Sequence, residues 1–194
     1  MSISRLRLAT PSDASEILAV YAPYITNTPI TFEEEIPALA DFTNRIKSIV
    51  AVYPYIVAEE APGVIRGFAY ASPHMLRAAY RWNVETSVYV ASEARGRGLG
   101  RKLYMALIAI LRLQNVENLY ACITYPNPES ISFHQAMGFA EVGHFPKCGY
   151  KAGAWHDIVW LERKLGFGPG PRGEVVPIIN LQQERITTIL QGEL

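Results

Sequence analysis

Several things are scarce in this sequence, and each scarcity removes a class of function. Acidic and basic residues balance at 18 each, for a formal net charge of +0, so no broad cationic surface is expected for wrapping a nucleic acid. A cluster of arginines, where one occurs, then reads as a local site. Two cysteines occur, Cys122 and Cys148; they form no metal-spaced cluster and require no disulfide. Both read as structural thiols, with an acyl-carrying thiol as the alternative, and no metal is expected. No apolar run reaches membrane-spanning length, and the opening MSISRLRLATPSD has no continuous apolar segment of the kind that directs secretion. The reading is a cytoplasmic protein with neither a membrane nor a nucleic acid as partner. Apolar residues, by contrast, are plentiful at 49% of 194, enough for one good core in a single domain.

Two familiar phosphate-binding signatures are also missing. No Gly-Lys pair is followed by Ser or Thr, which rules out a P-loop, and Arg101 stands where the last glycine of G-x-G-x-x-G would fall. What stands instead is the stretch VETSVYVASEARGRGLGRKLYMAL, Val84 to Leu107. Its first half has period two: Val84, Thr86, Val88 and Val90 face one way, Glu85, Ser87 and Tyr89 the other. One face is expected to be core and the other to carry chemistry. Its second half has helical spacing in Leu99, Leu103, Ala106, Leu107 and Ile110, so a helix starts near Gly98 or Gly100. The first turn of that helix offers unpaired backbone N–H groups beside Arg95, Arg97, Arg101 and Lys102. Gly96, Gly98 and Gly100 let a phosphate approach the backbone closely. A pyrophosphate fits this layout; a glycine-rich turn with solvated arginines is the plainer alternative.

Along the rest of the chain, ISRLRLA alternates as a first strand, and Asp13 with Glu16 reads as a capping pair ahead of a helix with Ile17, Val20, Tyr21 and Tyr24 on its apolar face. A second helix is expected from Pro37 through Leu39, Phe42, Ile46 and Ile49. The proline-broken, acidic TNTPITFEEE between them is expected to be a loop bordering a pocket. Tyr55 to Glu60 and Val64 to Ser72 form a hairpin about Ala61-Pro-Gly63. Leu119 to Tyr125 suits a buried strand, and Asn127, Pro128 and Gly138 mark the cap, first position and end of another helix. Phe139 to Phe145 and Ala154 to Leu161 close the sheet. That order of elements predicts an α+β fold, a mixed sheet with helices on both faces. GFGPGPRG has linker composition, and LQQERITTIL is expected to form a short helix packed on the body or on a second subunit.

Arg95-x-x-Gly98-x-Gly100 resembles the R/Q-x-x-G-x-G/A loop with which the GNAT acetyltransferase superfamily holds the pyrophosphate of acetyl-CoA. Asn127, Ser130, His134 and Gly138-Phe139, in register downstream, match that superfamily's N-x-x-S-x-x-x-[YH]-x-x-x-G-F helix. Within it, R77-A-A-Y-R-W82-N-V-E85-T-S-V-Y-V90, N127-P-x-S130 and G149-Y-K-A-G-A-W155-H-D157 are similar to the phosphinothricin and methionine sulfoximine N-acetyltransferases. The resemblance runs from about Arg5 to about Leu165, dividing the chain into an acetyltransferase domain, 1–165, and a tail, 166–194. It implies a mostly antiparallel GNAT-type sheet, acetyl-CoA as co-substrate, a small amino acid as acceptor, direct transfer in a ternary complex, and a homodimer. It further implies that Val88, Tyr89 and Val90 offer backbone donors to the thioester and pantetheine arm. Arg95, Gly96, Arg97, Gly98, Leu99, Gly100 and Arg101 would hold the pyrophosphate, and Asn127 and Ser130 the arm. Carried over by position, Met75, Leu76 and Arg77 line one wall of the acceptor site and Glu85, Thr86 and Ser87 the other, with Phe32 above.

The chemistry of these residue types fits that implication. Glu85 is suited to take the ammonium proton if burial among Tyr80, Trp82 and Trp155 raises its pKa; a solvated strand carboxylate is the alternative. His134, where many members of the superfamily have tyrosine, is a donor to the departing thiolate or a packed helix residue. Asn127 serves the arm, the helix cap, or both. The Arg77 guanidinium is suited to bidentate capture of a carboxylate, or forms a surface ion pair. Two rival functions stand beside the amino-acid acetyltransferase: the same chemistry on another amine, such as a peptide N-terminus, and a non-catalytic acyl-CoA-binding module.

Overall fold

The structure is a computed structural model that describes residues 5–166 and 168–192. Ile3 and Ser4 of the expected first strand, and Phe167 of the linker, lie outside the described residues. Seven strands form one sheet: β1 (Arg5–Leu8), β2 (Tyr55–Ala61), β3 (Val64–Pro73), β4 (Asn83–Val90), β5 (Asn118–Tyr125), β6 (Ala140–Lys151) and β7 (Ala154–Lys164). Their spatial order is β1-β2-β3-β4-β5-β7-β6. Every neighbouring pair is antiparallel except β4 and β5, because the helix α3 (Leu99–Leu113) carries the chain from one to the other. Two turns close hairpins on residues at positive φ. Gly63, at +76°, joins β2 to β3, and the pair Ala152 and Gly153, at +52° and +78°, joins β6 to β7, as a two-residue hairpin requires.

Helices cover both faces, as the mixed α+β reading predicted. On one face α3 buries Leu103, Leu107, Ile110 and Leu111 against Ile56, Ala69, Val84, Leu119 and Val159. Each such side chain contributes about 1.5–3 kcal/mol. On the other face α1 (Ala14–Asn27) and α2 (Leu39–Val50) bury Ile17, Tyr21, Phe42 and Ile46 against Tyr55, Val57 and Phe68. The period-two reading of β4 therefore needs one correction. The face bearing Glu85 and Ser87 is core as well at Tyr89, whose ring packs edge-on to Tyr21 at 4.8 Å and Tyr24 at 5.0 Å.

Several local expectations also change. Asp13 does not pair with Glu16; its carboxylate turns back to accept from the Thr10 N–H at 2.7 Å and from the Arg7 guanidinium at 2.7 and 2.9 Å, because a buried-edge arginine is the stronger partner. The second helix begins at Leu39, two residues after Pro37, and Leu39 is half exposed. β6 runs six residues beyond Phe145, so Cys148 lies in a strand, at an irregular stretch between Phe145 and Gly149. Of the expected loop TNTPITFEEE, Thr26 and Asn27 belong instead to the last turn of α1; residues 28–38 are irregular and tied down. Thr124 Oγ1 donates to Pro29 O at 2.8 Å, Lys151 Nζ to Thr31 O at 2.7 Å, and Arg45 pairs with Glu33 at 2.6 Å. At the far end, α4 (Pro128–Ala136) follows β5, and α5 (Gln183–Gln191) packs on α3 and β1 with Ile186 and Ile189 buried. Among the described residues no helix is long and apolar enough to cross a membrane.

Candidate functional site

The site is made where the sheet comes apart. β4 and β5 pair only at Asn83–Asn118, Val84–Leu119 and Glu85–Tyr120, after which β5 continues against β7 as far as Tyr125. From Thr86 onward β4 is paired with a strand on the β3 side only. Its pairing with β3 is continuous from Val84 to Val90 without a bulge, so the opening comes from the parting of β4 and β5. Backbone alternation then decides which amides face the notch. Ala91 N–H donates to Arg66 O on the β3 side at 2.9 Å. Val90, one residue earlier, points the other way, and its N–H and C=O both meet the Tyr24 hydroxyl, at 3.3 and 2.6 Å. By the same parity Val88 N–H faces the notch and Tyr89 N–H faces β3. Of the three expected donors, the structure turns Val88 and Val90 toward the opening and Tyr89 away from it.

Glu85 stands on the α1/α2 face of the sheet where the parting begins, with Ser72 on β3 and Tyr120 on β5 as its cross-strand neighbours. Burial raises its carboxyl above the ordinary 4.5, because a charge is costly where water is excluded. The aromatic residues expected to cause this are elsewhere. Trp82 donates its indole N–H to Gly173 O at 2.8 Å, Trp155 is 58% exposed and packs edge-on to Tyr150, and Tyr80 is exposed. The sheet itself supplies the burial. Cys122, on the cleft wall, is open to solvent by area, yet crowding around its sulfur pushes the thiol up to about 12, so it is protonated and a poor nucleophile at neutral pH.

His134 occupies the opposite face, buried at 5% exposure in α4. Its Nδ1 lies 2.8 Å from Ser130 O, a group that can only accept, so Nδ1 carries the proton. Nε2, 3.1 Å from the Tyr104 hydroxyl, is then the acceptor in the neutral ring. Tyr104 in turn lies 2.5 Å from Thr86 Oγ1. Desolvation lowers the imidazole below its ordinary 6.5. Thr86 thus turns its side chain inward to Tyr104, away from the face that bears Glu85 and Ser87, and the expected second wall of the acceptor site loses one member. Tyr104 carries no signal in the sequence, since a helical tyrosine spaced with core residues reads only as core.

Beyond Val90 the chain makes an anion cradle. Gly96 and Gly98 adopt left-handed φ of +73° and +74° with open space around them, so glycine is needed there for conformation. Alternation of right- and left-handed residues converges successive N–H groups on one point. The first helical bond of α3 runs from Lys102 N–H to Gly98 O at 3.1 Å, leaving the amides of Leu99, Gly100 and Arg101 without helical partners. A Cβ on Gly100 would meet only ordinary contacts with Val90 and Phe133, so packing within the chain does not itself require glycine there. Arg95 lies over the Tyr24 ring at 5.1 Å and is exposed, as are Arg97, Arg101 and Lys102. These features fit a pyrophosphate. Asn127 caps α4, accepting from Ser130 N–H at 3.1 Å, and with Ser130, His134, Ser87 and Val88 it lines a narrow cavity of about 60 Å³ in the notch. A larger hollow of about 690 Å³, between β1, α3 and α5, is remote from Glu85.

The acceptor side is framed by two loops. Residues 74–82 leave the end of β3 and return into β4, closed at the neck by His74 N–H to Asn83 O at 3.2 Å. Met75, Leu76 and Arg77 are all exposed on it, Leu76 at 96%. Phe32, from segment 28–38, lies over Gly149, where any Cβ would collide with its ring at 2.3–2.6 Å. His74 was not singled out by its sequence context. Its ring stacks on Tyr120 at 4.2 Å with Nδ1 buried and unpartnered.

Comparison with known proteins agrees with this geometry. Residues 6–160 match a family model described as an acetyltransferase (GNAT) domain. A phosphinothricin N-acetyltransferase from Streptomyces viridochromogenes is 32% identical over 91% of this chain and 95% of its own length. An L-methionine sulfoximine/L-methionine sulfone acetyltransferase from Pseudomonas aeruginosa is 34% identical over 82% and 94%. Among solved structures, a GNAT superfamily phosphinothricin acetyltransferase from Sinorhizobium meliloti in complex with AcCoA superposes with a TM-score of 0.84 at 36% identity, covering 91% of this chain and 97% of that one.

Proposed function

This chain belongs to the GNAT acetyltransferase family, and we propose that it transfers the acetyl group of acetyl-CoA to the amine of a small amino acid such as L-phosphinothricin, methionine sulfoximine or methionine sulfone. Acetyl-CoA supplies an activated acetyl thioester; the chain's own residues hold it and move protons. The observation that carries the reading is the notch between β4 and β5, which has a carboxylate of raised pKa on one face and a buried histidine on the other. An acceptor amine reaching the notch from the Glu85 face gives up its proton to that carboxylate, whose raised pKa brings it closer to the working pH.

Val88 N–H, turned by strand parity to the notch side, is assigned to the thioester oxygen and arm, where a fixed donor strengthens as charge develops. The cradle of Arg95 to Arg101 takes the pyrophosphate, and Asn127 and Ser130 border the arm. His134 returns a proton to the departing sulfur, with Ser130 Oγ 3.4 Å from Nδ1 as the link. Burial makes its imidazolium a readier donor while keeping that cation scarce. Tyr104 and Thr86 set the ring's orientation. Arg77 takes the acceptor's carboxylate by a bidentate pair, with Met75 and Leu76 beside it and Ser87 and Glu85 opposite. On this reading residues 1–165 are the transferase domain and 166–194 its tail. The supply of acetyl-CoA favours the cytoplasm, and the exposed Leu76, Tyr150 and Trp155 favour a homodimer, since aromatic residues are enriched at contacts.

The test is a panel of amino acids and short peptides assayed for thiol release from acetyl-CoA. Turnover of phosphinothricin or the oxidised methionines, lost in Arg77→Ala, is the expected result. Inert free amino acids with an acetylated peptide N-terminus would overturn the acceptor assignment. Acetyl-CoA binding without turnover of any amine would overturn catalysis itself.

A further inference from the structure

The loop that carries Arg77 has little of its own to hold it. Residues 75–81 are all exposed, and the turn Ala78–Tyr80 is a single 3-10 turn. Two residues at its end reach a different part of the chain. The Arg81 guanidinium forms a bidentate pair with Glu174, at 2.9 and 3.0 Å, and also donates to Ala78 O at 3.1 Å. It stacks on the Trp82 ring at 3.8 Å, and Trp82 Nε1 donates to Gly173 O at 2.8 Å.

The other end of this contact is fixed to the body. Arg172 donates to Glu117 Oε1 at 3.0 Å and to Val116 O at 2.6 Å, Asn115 Nδ2 donates to Glu174 O at 3.0 Å, and Val176 N–H donates to Gln114 O at 3.0 Å. Residues 172–176 thereby lie across the C-terminal end of α3, where helix carbonyls lack internal partners. A Cβ on Gly173 would press on Asn115 Nδ2 at 3.0 Å, so the contact is close. Residues 172–176 lie outside the 6–160 stretch matched by the family model.

We propose that residues 172–176 are a strap that positions the acceptor loop: Glu174 and the Gly173 carbonyl hold Arg81 and Trp82, and Arg81, through Ala78 O, fixes the turn that begins at Arg77. The inference rests on Arg77 as the acceptor's carboxylate anchor. Glu174, Arg81 and Trp82 are positioning residues, and they set acceptor affinity without touching the acetyl donor. Small misplacement of an anchor group lowers productive binding disproportionately.

The experiment is steady-state kinetics on the full chain with Glu174→Ala, Glu174→Gln, Trp82→Phe and Arg77→Ala, together with amide hydrogen exchange over residues 76–82. Glu174→Ala is expected to raise the acceptor KM by about fivefold while the acetyl-CoA KM moves by less than about twofold. Glu174→Gln should fall between it and the unchanged protein, and the thermal midpoint should hold. Because the strap acts through Arg77, Glu174→Ala should add nothing to Arg77→Ala in a double-mutant cycle. An unchanged acceptor KM, an equal rise in both KM values, or full additivity with Arg77→Ala would overturn the strap. If Arg77→Ala leaves the acceptor KM unchanged, the acceptor assignment has failed, and exchange decides the strap alone. Faster exchange of 76–82 in Glu174→Ala supports it, and unchanged exchange overturns it.

Discussion

Glu85 and His134 have pKa values displaced in opposite directions by the same cause. Burial disfavours the charged form, which is the carboxylate of one and the imidazolium of the other. Glu85→Gln should lower kcat by about 10²–10⁴ and leave acetyl-CoA affinity, measured by calorimetry, unchanged. In the unchanged protein kcat/KM should rise with pH along a limb placed above the ordinary carboxylate value of 4.5, since only the ionised group accepts a proton. His134 carries a stability consequence of definite sign. The unfolded chain binds a proton at the ordinary 6.5 and the folded one only below it, so the histidine's contribution is present above 6.5 and is lost as pH falls toward the folded value. Denaturant unfolding at descending pH should show His134→Gln losing less stability than its parent across that window. Equal losses would mean that the ring is not held neutral.

At the scale of elements, the two departures from regularity matter most: a sheet that parts after Glu85–Tyr120 and a loop that converges its amides before α3. In the loop, Gly96 and Gly98 adopt φ that other residues adopt only with strain. Gly98→Ala is therefore expected to weaken acetyl-CoA binding about tenfold, from roughly 1–2 kcal/mol of strain, with kcat at saturation nearly intact; isothermal titration reads the change. Gly149 is constrained for a different reason, because the Phe32 ring fills the place of its Cβ. Gly149→Ala should displace Phe32 and raise the acceptor KM. The acetyl-CoA KM is the control, because Phe32 and Gly149 stand on the acceptor side of the sheet.

Across the whole molecule, the tail is fastened to the body well away from the reacting atoms. Gln114, fully buried, donates through Nε2 to Val52 O at 2.7 Å and to Val176 O at 2.8 Å, joining the α2–β2 connection, the end of α3 and the strap. Gln114→Ala removes a donor from Val176 O and one of two from Val52 O, which also accepts from Ile178 N–H at 2.9 Å, and should cost about 1–2 kcal/mol, read as a lower denaturant midpoint at constant m-value. Ile178, Ile186 and Ile189, also in the tail, are buried in the same cluster as the α3 core, so truncation after residue 166 should yield an aggregating chain in size-exclusion chromatography.

The features legible in the sequence were the ones encoded within a few residues. Period-two alternation set β4, glycines set the cradle and the α3 start, and Asn127, Pro128 and Gly138 set both ends of α4, because caps and turns are decided by local φ/ψ and local hydrogen bonds. Resemblance added the chemistry expected at those places. Tertiary structure alone decided which face each group serves. The parting of β4 from β5 puts Glu85 and His134 on opposite sides of one opening, where strand alternation turns Thr86 inward to Tyr104 and Tyr89's amide toward β3. It also decided that a segment of linker composition, separated from the acceptor loop in chain order by β4, α3, β5, α4, β6 and β7, would hold that loop by Arg81 and Trp82. Such pairings join residues 91 to 93 positions apart, and nothing in the sequence near either end records the other, since the contact exists only once the sheet and α3 have brought them together.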